Sequence, residues 1–235
     1  MRIAAAQLNQ TVGDFRGNAD RIIDAAHRAA AAGARVLLTP ELSLAGYPPE
    51  DLLMRAAFQQ QADEALARIC EATAALDLYL LVGHPLHEDE TGEGRDEEGR
   101  KGGYDGPVRC RANAASLLYQ GRIAGTARKQ ELPNYAVFDE ARYFCRGERP
   151  FVFEVDGIRF GVAICEDFWM PAVPAALHEA GAQVLLVLNA SPFHLDKQPL
   201  RLDTARANVS RLGLPMLAAN LVGGQDELVF DGCSF

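Results

Sequence analysis

A layered α/β fold is predicted for this sequence on three observations. Short apolar runs alternate with segments of helical period along the first third of the chain. Apolar residues make up 49% of the 235 residues, enough to build a sizeable core. Charged residues stop at 23%, which excludes wholesale disorder.

The elements follow in order. Residues 2–8 read as a strand, and residues 18–32 (NADRIIDAAHRAAAA) as a helix closed by Gly33. Residues 35–39 (RVLLT) are a second, buried strand, residues 58–76 a second helix, and residues 78–83 (LYLLVG) a third strand. Residues 88–107 hold eight acids and three bases, and read as a surface insertion at a strand end, with an acidic interaction tail as the alternative. Two strands, 108–119 and 122–128, then flank Gln120-Gly121, and residues 151–155 and 158–164 flank Asp156-Gly157; each pair signals a tight hairpin. A helix near 172–180 leads to the continuous apolar strand 183–188. Residues 199–212 are helical, residues 215–220 form a strand, and residue 228 begins another, so that the sequence is expected to stop partway through its last hairpin. No internal repeat or linker divides the chain, so residues 1–235 are read as one domain.

Charge narrows the partners. The formal net charge is −9, and phosphate binding needs basic surface, so a general nucleic-acid binder is excluded. Five cysteines without CxxC spacing read as free thiols of a reducing compartment, not as a disulfide framework or zinc site. No apolar run approaches the ~18 residues of a membrane span, and the start of the chain lacks the apolar core of a signal peptide. A cytoplasmic location is the expectation.

Three polar residues directly follow buried strands. Glu41 closes LLTPE, Lys129 closes the second strand of the 108–128 hairpin, and Cys165 ends GVAIC. Singly, each has an ordinary reading: a helix-capping carboxylate, a surface ammonium, a small buried thiol. Together they supply a base, a cation and a nucleophile, which attack on a carbonyl carbon requires. A thiol of pKa near ~8.5 is mostly protonated at neutral pH, so it needs a base beside it. Glu41 would take that proton and return it to the departing amine. Lys129 and the backbone N–H of Glu166 would stabilise the tetrahedral oxyanion.

The phrases LLTPELSLAGY, ARKQELPNY and GVAICEDFW resemble, in order and spacing, the Glu-Lys-Cys triad of the nitrilase (carbon–nitrogen hydrolase) superfamily. Three further phrases, LPNYAVFDE, NASPFH and GGQDELVFDG, resemble the amino-terminal glutaminase domains of glutamine-dependent NAD+ synthetases. The resemblance implies an α-β-β-α sandwich and hydrolysis of the side-chain amide of L-glutamine through a thioester on Cys165. It implies that Tyr135, Ser191 and Lys197 hold the substrate, and that Glu140 is an additional active-site carboxylate orienting Lys129. Ammonia would pass to a carboxyl-terminal synthetase domain using ATP, Mg and deamido-NAD+; homo-oligomerisation is expected as well. Without the resemblance, Tyr135 is a packing ring, Ser191 a turn residue and Lys197 an exposed charge.

The chain carries no SGGxDS phrase, no Walker loop and no complete GxGxxG, so no cofactor is expected on it and the synthetase domain is expected beyond it. Among histidines, only His194 lies near the proposed site, and His84 with His87 makes a weak HxxH metal signal, so no metal is expected. A GxSxG elbow is absent. The rival readings are a free-standing ω-amidase or carbamoylase of the same superfamily and a catalytically silent binding scaffold.

Overall fold

The computed structural model describes residues 1–88 and 110–235. The acidic insertion expected at 88–107 falls, apart from Glu88, outside the described residues.

Each half of the chain builds one sheet with its own helices. In the first, β1 (Ile3–Ala5), β2 (Val36–Leu38) and β3 (Tyr79–Glu88) are parallel neighbours. β4 (Cys110–Tyr119) and β5 (Arg122–Arg128) then continue it antiparallel. Helices α1 (Phe15–Ala31) and α2 (Ala56–Ala72) connect the parallel strands. In the second, β6 (Phe151–Val155) pairs antiparallel with β7 (Ile158–Ile164). β7, β8 (Val184–Asn189) and β9 (Met216–Asn220) run parallel. Three helices accompany this sheet: α3 (Glu166–Trp169), α4 (Ala172–Glu179) and α5 (Lys197–Leu212).

Strand periodicity explains the layering. Successive side chains point to opposite faces of a strand, so a strand buried on both faces reads as continuously apolar. In β2, Val36 and Leu38 enter a core shared by both sheets, whereas Leu37 packs with Ile22, Ala26 and Ile69 of α1 and α2. In β8, Leu186 and Leu188 enter the shared core, while Leu185 and Val187 pack with Val173, Leu177 and Phe168 on the helical side. The layers are therefore helix, sheet, sheet, helix, as the sequence resemblance implies.

Both expected hairpin turns are present, with φ positive at Gln120 and Gly121 and at Asp156 and Gly157. Several boundaries move. The first strand is shorter than expected, and the strand expected to end at 83 continues through His87 because β4 pairs with it along its length. The helix expected over 58–76 starts at Ala56 and stops at Ala72, where the Thr73 hydroxyl donates to the Ile69 carbonyl, 2.8 Å away. The strand beginning at 228 (β11, Leu228–Asp231) pairs backward with β10 (Val222–Gln225), a Gly-Gly segment with weak strand propensity. Cys145 is disulfide-bonded, which corrects the reading of five free thiols; Cys70, Cys165 and Cys233 are free. Among the described residues, no helix is long and apolar enough to cross a membrane.

Candidate active site

The three residues singled out at strand ends are all buried: Glu41 and Lys129 are 0% exposed and Cys165 is 7% exposed. Glu41 hangs on the loop after β2, where Leu42 is left-handed with φ 45°. That loop lies directly on Gly83 of β3: a Cβ there would stand 2.3 Å from the Pro40 carbonyl oxygen and 2.7 Å from the Leu42 nitrogen. Lys129 follows β5; its N–H donates to the Asn113 carbonyl at 2.8 Å and its own carbonyl accepts from Gly147 at 2.7 Å. Cys165 turns sharply between β7 and α3, with φ 46° and ψ −99°, and its N–H donates to the Leu188 carbonyl at 2.9 Å. Strained residues of this kind persist where the surrounding structure over-determines them.

These loops meet in one buried polar array. Lys129 Nζ donates to Glu41 Oε1 at 2.6 Å and to Glu140 Oε1 at 2.8 Å. Glu41 Oε1 also accepts from Asn113 Nδ2 at 2.7 Å, and Glu41 Oε2 accepts from the Ala190 N–H at 3.1 Å. The Tyr47 hydroxyl donates to Glu140 Oε1 at 2.9 Å. Burial pushes the Cys165 thiol well above the usual range, and the Glu41 charge adds to this while Lys129 opposes it. The Cys165 side chain therefore rests as a protonated thiol.

The other expected residues are placed around this array. Glu166, after the nucleophile, accepts from the Tyr135 hydroxyl at 2.9 Å; the Tyr135 ring is 54% exposed. Burial, then the bond to Glu166, holds the Tyr135 hydroxyl above its ordinary pKa. Lys197 Nζ sits 4.6 Å from the centre of the Trp169 ring, and partial burial lowers its pKa against the pull of Cys165 and Glu166. Ser191 is buried beside Ala190, with its N–H donated to Asn220 and its hydroxyl oxygen accepting from Arg201 Nε at 3.1 Å. Its own O–H and a second lone pair are not used in these two bonds. Glu140 also lines a cavity of about 300 Å³ with Leu42, Tyr47, Phe138 and Tyr143, and Cys165 and Lys129 lie outside that lining.

His194 is exposed, its ring bonded to the Leu195 carbonyl, and does not join the array. His84 is bonded to Ser116 and to the Pro85 carbonyl. No cluster of three or more His, Cys, Asp or Glu side chains that would hold a metal occurs among the described residues.

Sequence reasoning missed four supports. Asn113 and Tyr47 bond the two carboxylates, and a polar side chain flanked by alanines in a strand was the available signal for Asn113. Asp167 accepts the N–H groups of Gln130, Glu131 and Ile164, tying the lysine loop to the cysteine turn. Arg201 is fully buried and joins Ser191, Pro192 and Asp231; nothing in the helical pattern of α5 marked it.

A protonated thiol at a strained strand end, with a buried carboxylate and a buried ammonium near it between two sheets, is the set of groups found in hydrolases of α-β-β-α architecture. The chain belongs to the carbon–nitrogen hydrolase family, which it matches over residues 2–235. It is 40% identical over 236 residues to the glutamine-dependent NAD(+) synthetase of Thermotoga maritima, all of this chain aligning with 38% of that protein. With the same-named protein of Xanthomonas campestris pv. campestris it shares 42% identity over 240 residues, 100% of this chain and 39% of that one. The chain thus spans less than half the length of these curated relatives. The solved glutamine-dependent NAD+ synthetase of Acinetobacter baumannii aligns with TM-score 0.83 and 34% identity, over 99% of this chain and 40% of that one. An amidase from Nesterenkonia sp. aligns with TM-score 0.82 and 28% identity, over 100% of this chain and 81% of that one. A mutant of the Nesterenkonia sp. AN1 amidase carries acrylamide added at its active-site cysteine.

Proposed function

We propose that this chain is a glutamine amidohydrolase domain that releases ammonia through a glutamyl thioester on Cys165 and supplies an ATP-dependent synthetase domain that amidates deamido-NAD+. The observation that carries this reading is the buried Glu41–Lys129–Glu140 array beside Cys165, on a chain aligned end to end with glutamine-dependent synthetases.

The chemistry follows from the geometry. Glu41 accepts the thiol proton as Cys165 Sγ attacks the side-chain amide carbon. Lys129 and the Glu166 N–H receive the developing oxyanion, a role in which one donor is typically worth about 3–4 kcal/mol. The C–N bond breaks as Glu41 returns the proton to nitrogen, releasing ammonia. A water, deprotonated by Glu41, then attacks the thioester; glutamate leaves and the thiol is restored. Glu140 orients Lys129 throughout. Lys197 would pair with the α-carboxylate of glutamine, and Tyr135 and Ser191 would add hydrogen bonds. No step on this chain uses a cofactor; ATP, Mg and deamido-NAD+ belong to the synthetase domain.

Labelling with a diazo-ketone glutamine analogue followed by peptide mapping should modify Cys165. Cys165→Ala should be folded and inert, and Glu41→Gln should bind glutamine without turning it over. Label on Cys70 or Cys233, or Glu41→Gln at the parent rate, would overturn the assignment. The coverage of 81% of the Nesterenkonia amidase favours a second reading, a free-standing amidase. An amide panel separates the two: preference for short aliphatic or ω-amides over glutamine selects the second.

A further inference from the structure

The reaction proposed above needs Glu41 held so that a carboxylate oxygen is ready for the thiol proton; Lys129 binds one oxygen and the Ala190 N–H the other. We propose that Asn113 is the positioning residue that holds Glu41 in this geometry, an inference that rests on the amidohydrolase reading.

Asn113 lies in β4 and is 0% exposed. Its side chain donates Nδ2–H to Glu41 Oε1 at 2.7 Å, the oxygen that also accepts from Lys129 at 2.6 Å. Its main-chain carbonyl accepts the Lys129 N–H at 2.8 Å, so one residue ties both the base and the cation to the sheet. The remaining polar atom, Asn113 Oδ1, is buried and has no hydrogen-bond partner among the described residues. A buried amide carbonyl left unpaired is costly, and an apolar residue at this strand position would avoid that cost. The bonded end of the amide is the one that faces the base.

The chemistry of an amide suits the task. The charged and titratable groups around Glu41 are Lys129 on the loop after β5, Glu140 on the 3-10 turn Glu140–Arg142, Tyr47 after β2 and Cys165 after β7. A second cation at position 113 would also hold the carboxylate, yet it would stabilise the ionised form further and make a weaker base. A neutral N–H orients the carboxylate with far less loss of basicity.

Two substitutions test this in the full chain. Asn113→Ala should lower kcat for glutamine roughly 10- to 100-fold with KM changed less than about twofold, since the lost bond acts on the base and not on the substrate. Asn113→Asp keeps the shape. With one proton shared, the introduced carboxyl O–H donates to Glu41 as the amide does; once that proton leaves, two carboxylates face each other. Asn113→Asp should therefore run near the parent rate at the acid end and lose activity as pH rises, where the parent does not. Alkylation of Cys165 by iodoacetamide, followed by peptide mapping, should show the same pH pattern and needs no substrate. Asn113→Ala at the parent rate, or an Asn113→Asp deficit equal at every pH, would reduce Asn113 to packing. A parent chain that hydrolyses no amide overturns the amidohydrolase reading instead, and the alkylation profile still decides for or against Asn113.

Discussion

Lys129 is an ammonium group with no exposed surface, lodged between Glu41 and Glu140. Burial penalises its charge, but the two carboxylates outweigh that penalty and hold its pKa well above the ordinary lysine value. Burial in turn pushes Glu140 up to about 7 from 4.5, against the opposing pull of Lys129. A carboxyl whose folded pKa is raised contributes stability fully below pH 4.5 and loses it as pH rises through about 7. Glu140→Gln should therefore flatten the fall in stability across that window, read from denaturant midpoints at successive pH values. Lys129→Met should cost about 3–5 kcal/mol, because it leaves two buried carboxylates facing each other. The double variant Lys129→Met/Glu140→Gln should recover part of the loss; no recovery would show that repulsion is not its source.

Secondary-structure elements act here through their ends. Leu42, Ala136, Cys165 and Asp196 all have positive φ, and each lies in one of the four segments carrying Glu41, Tyr135, the nucleophile and Lys197. At these four positions the strained backbone turns a segment so that its side chain is aimed at the array. Gly83 shows how tightly one such loop is seated. Gly83→Ala would drive a methyl into Pro40 and Leu42, so it should displace Glu41 and lower glutamine turnover about 100-fold while far-UV circular dichroism stays near native. Native turnover in that variant would mean the loop gives way without moving the base. The next residue along β3, His84, is buried, and burial lowers its pKa from 6.5 to about 4. A depressed histidine contributes stability above pH 6.5 that is lost as pH falls through about 4. Relative to His84→Gln, the parent should lose about 3 kcal/mol across that range. Parallel stability curves for the two proteins would remove His84 as a source of acid sensitivity.

At the scale of the whole molecule, the site exists because two sheets face each other. Glu41, Asn113 and Lys129 belong to the first, Cys165 and Ala190 to the second, and the Ala190 N–H reaches Glu41 from 149 residues away. The chain aligns with less than half of the synthetases it resembles, and ammonia released into water at neutral pH is protonated and lost as a nucleophile. On the proposed reading, synthetase ligands should favour the competent glutaminase site. Mixing or fusing the chain with a matching synthetase domain, ATP and deamido-NAD+ should raise the rate of glutamate release. Release at a full rate regardless of partner and ligands would select the free-standing amidase.

The sequence by itself determined which residues carry strands and helices and which three side chains are chemically out of place. Continuous apolar runs at 36–38, 160–164 and 184–188 require burial on two faces, and that alone implies layers on both sides of a sheet. The turns at Gln120-Gly121 and Asp156-Gly157 were legible because each favours the positive φ a two-residue hairpin demands. Glu41 and Cys165 were legible because each follows a buried strand, and Lys129 because it ends the second strand of a hairpin. Only the tertiary structure decided who touches them. Tyr47 and Arg201 carry no local signal of their role, Asn113 shows only a polar side chain among the alanines of β4, β10 is a Gly-Gly strand whose pairing comes from β11, and Cys145 is joined in a disulfide no spacing announced. The physical reason is range: periodicity reports which face of an element is buried, whereas a hydrogen bond such as that between Lys129 and Glu41, 88 residues apart, depends on how two sheets and their loops pack.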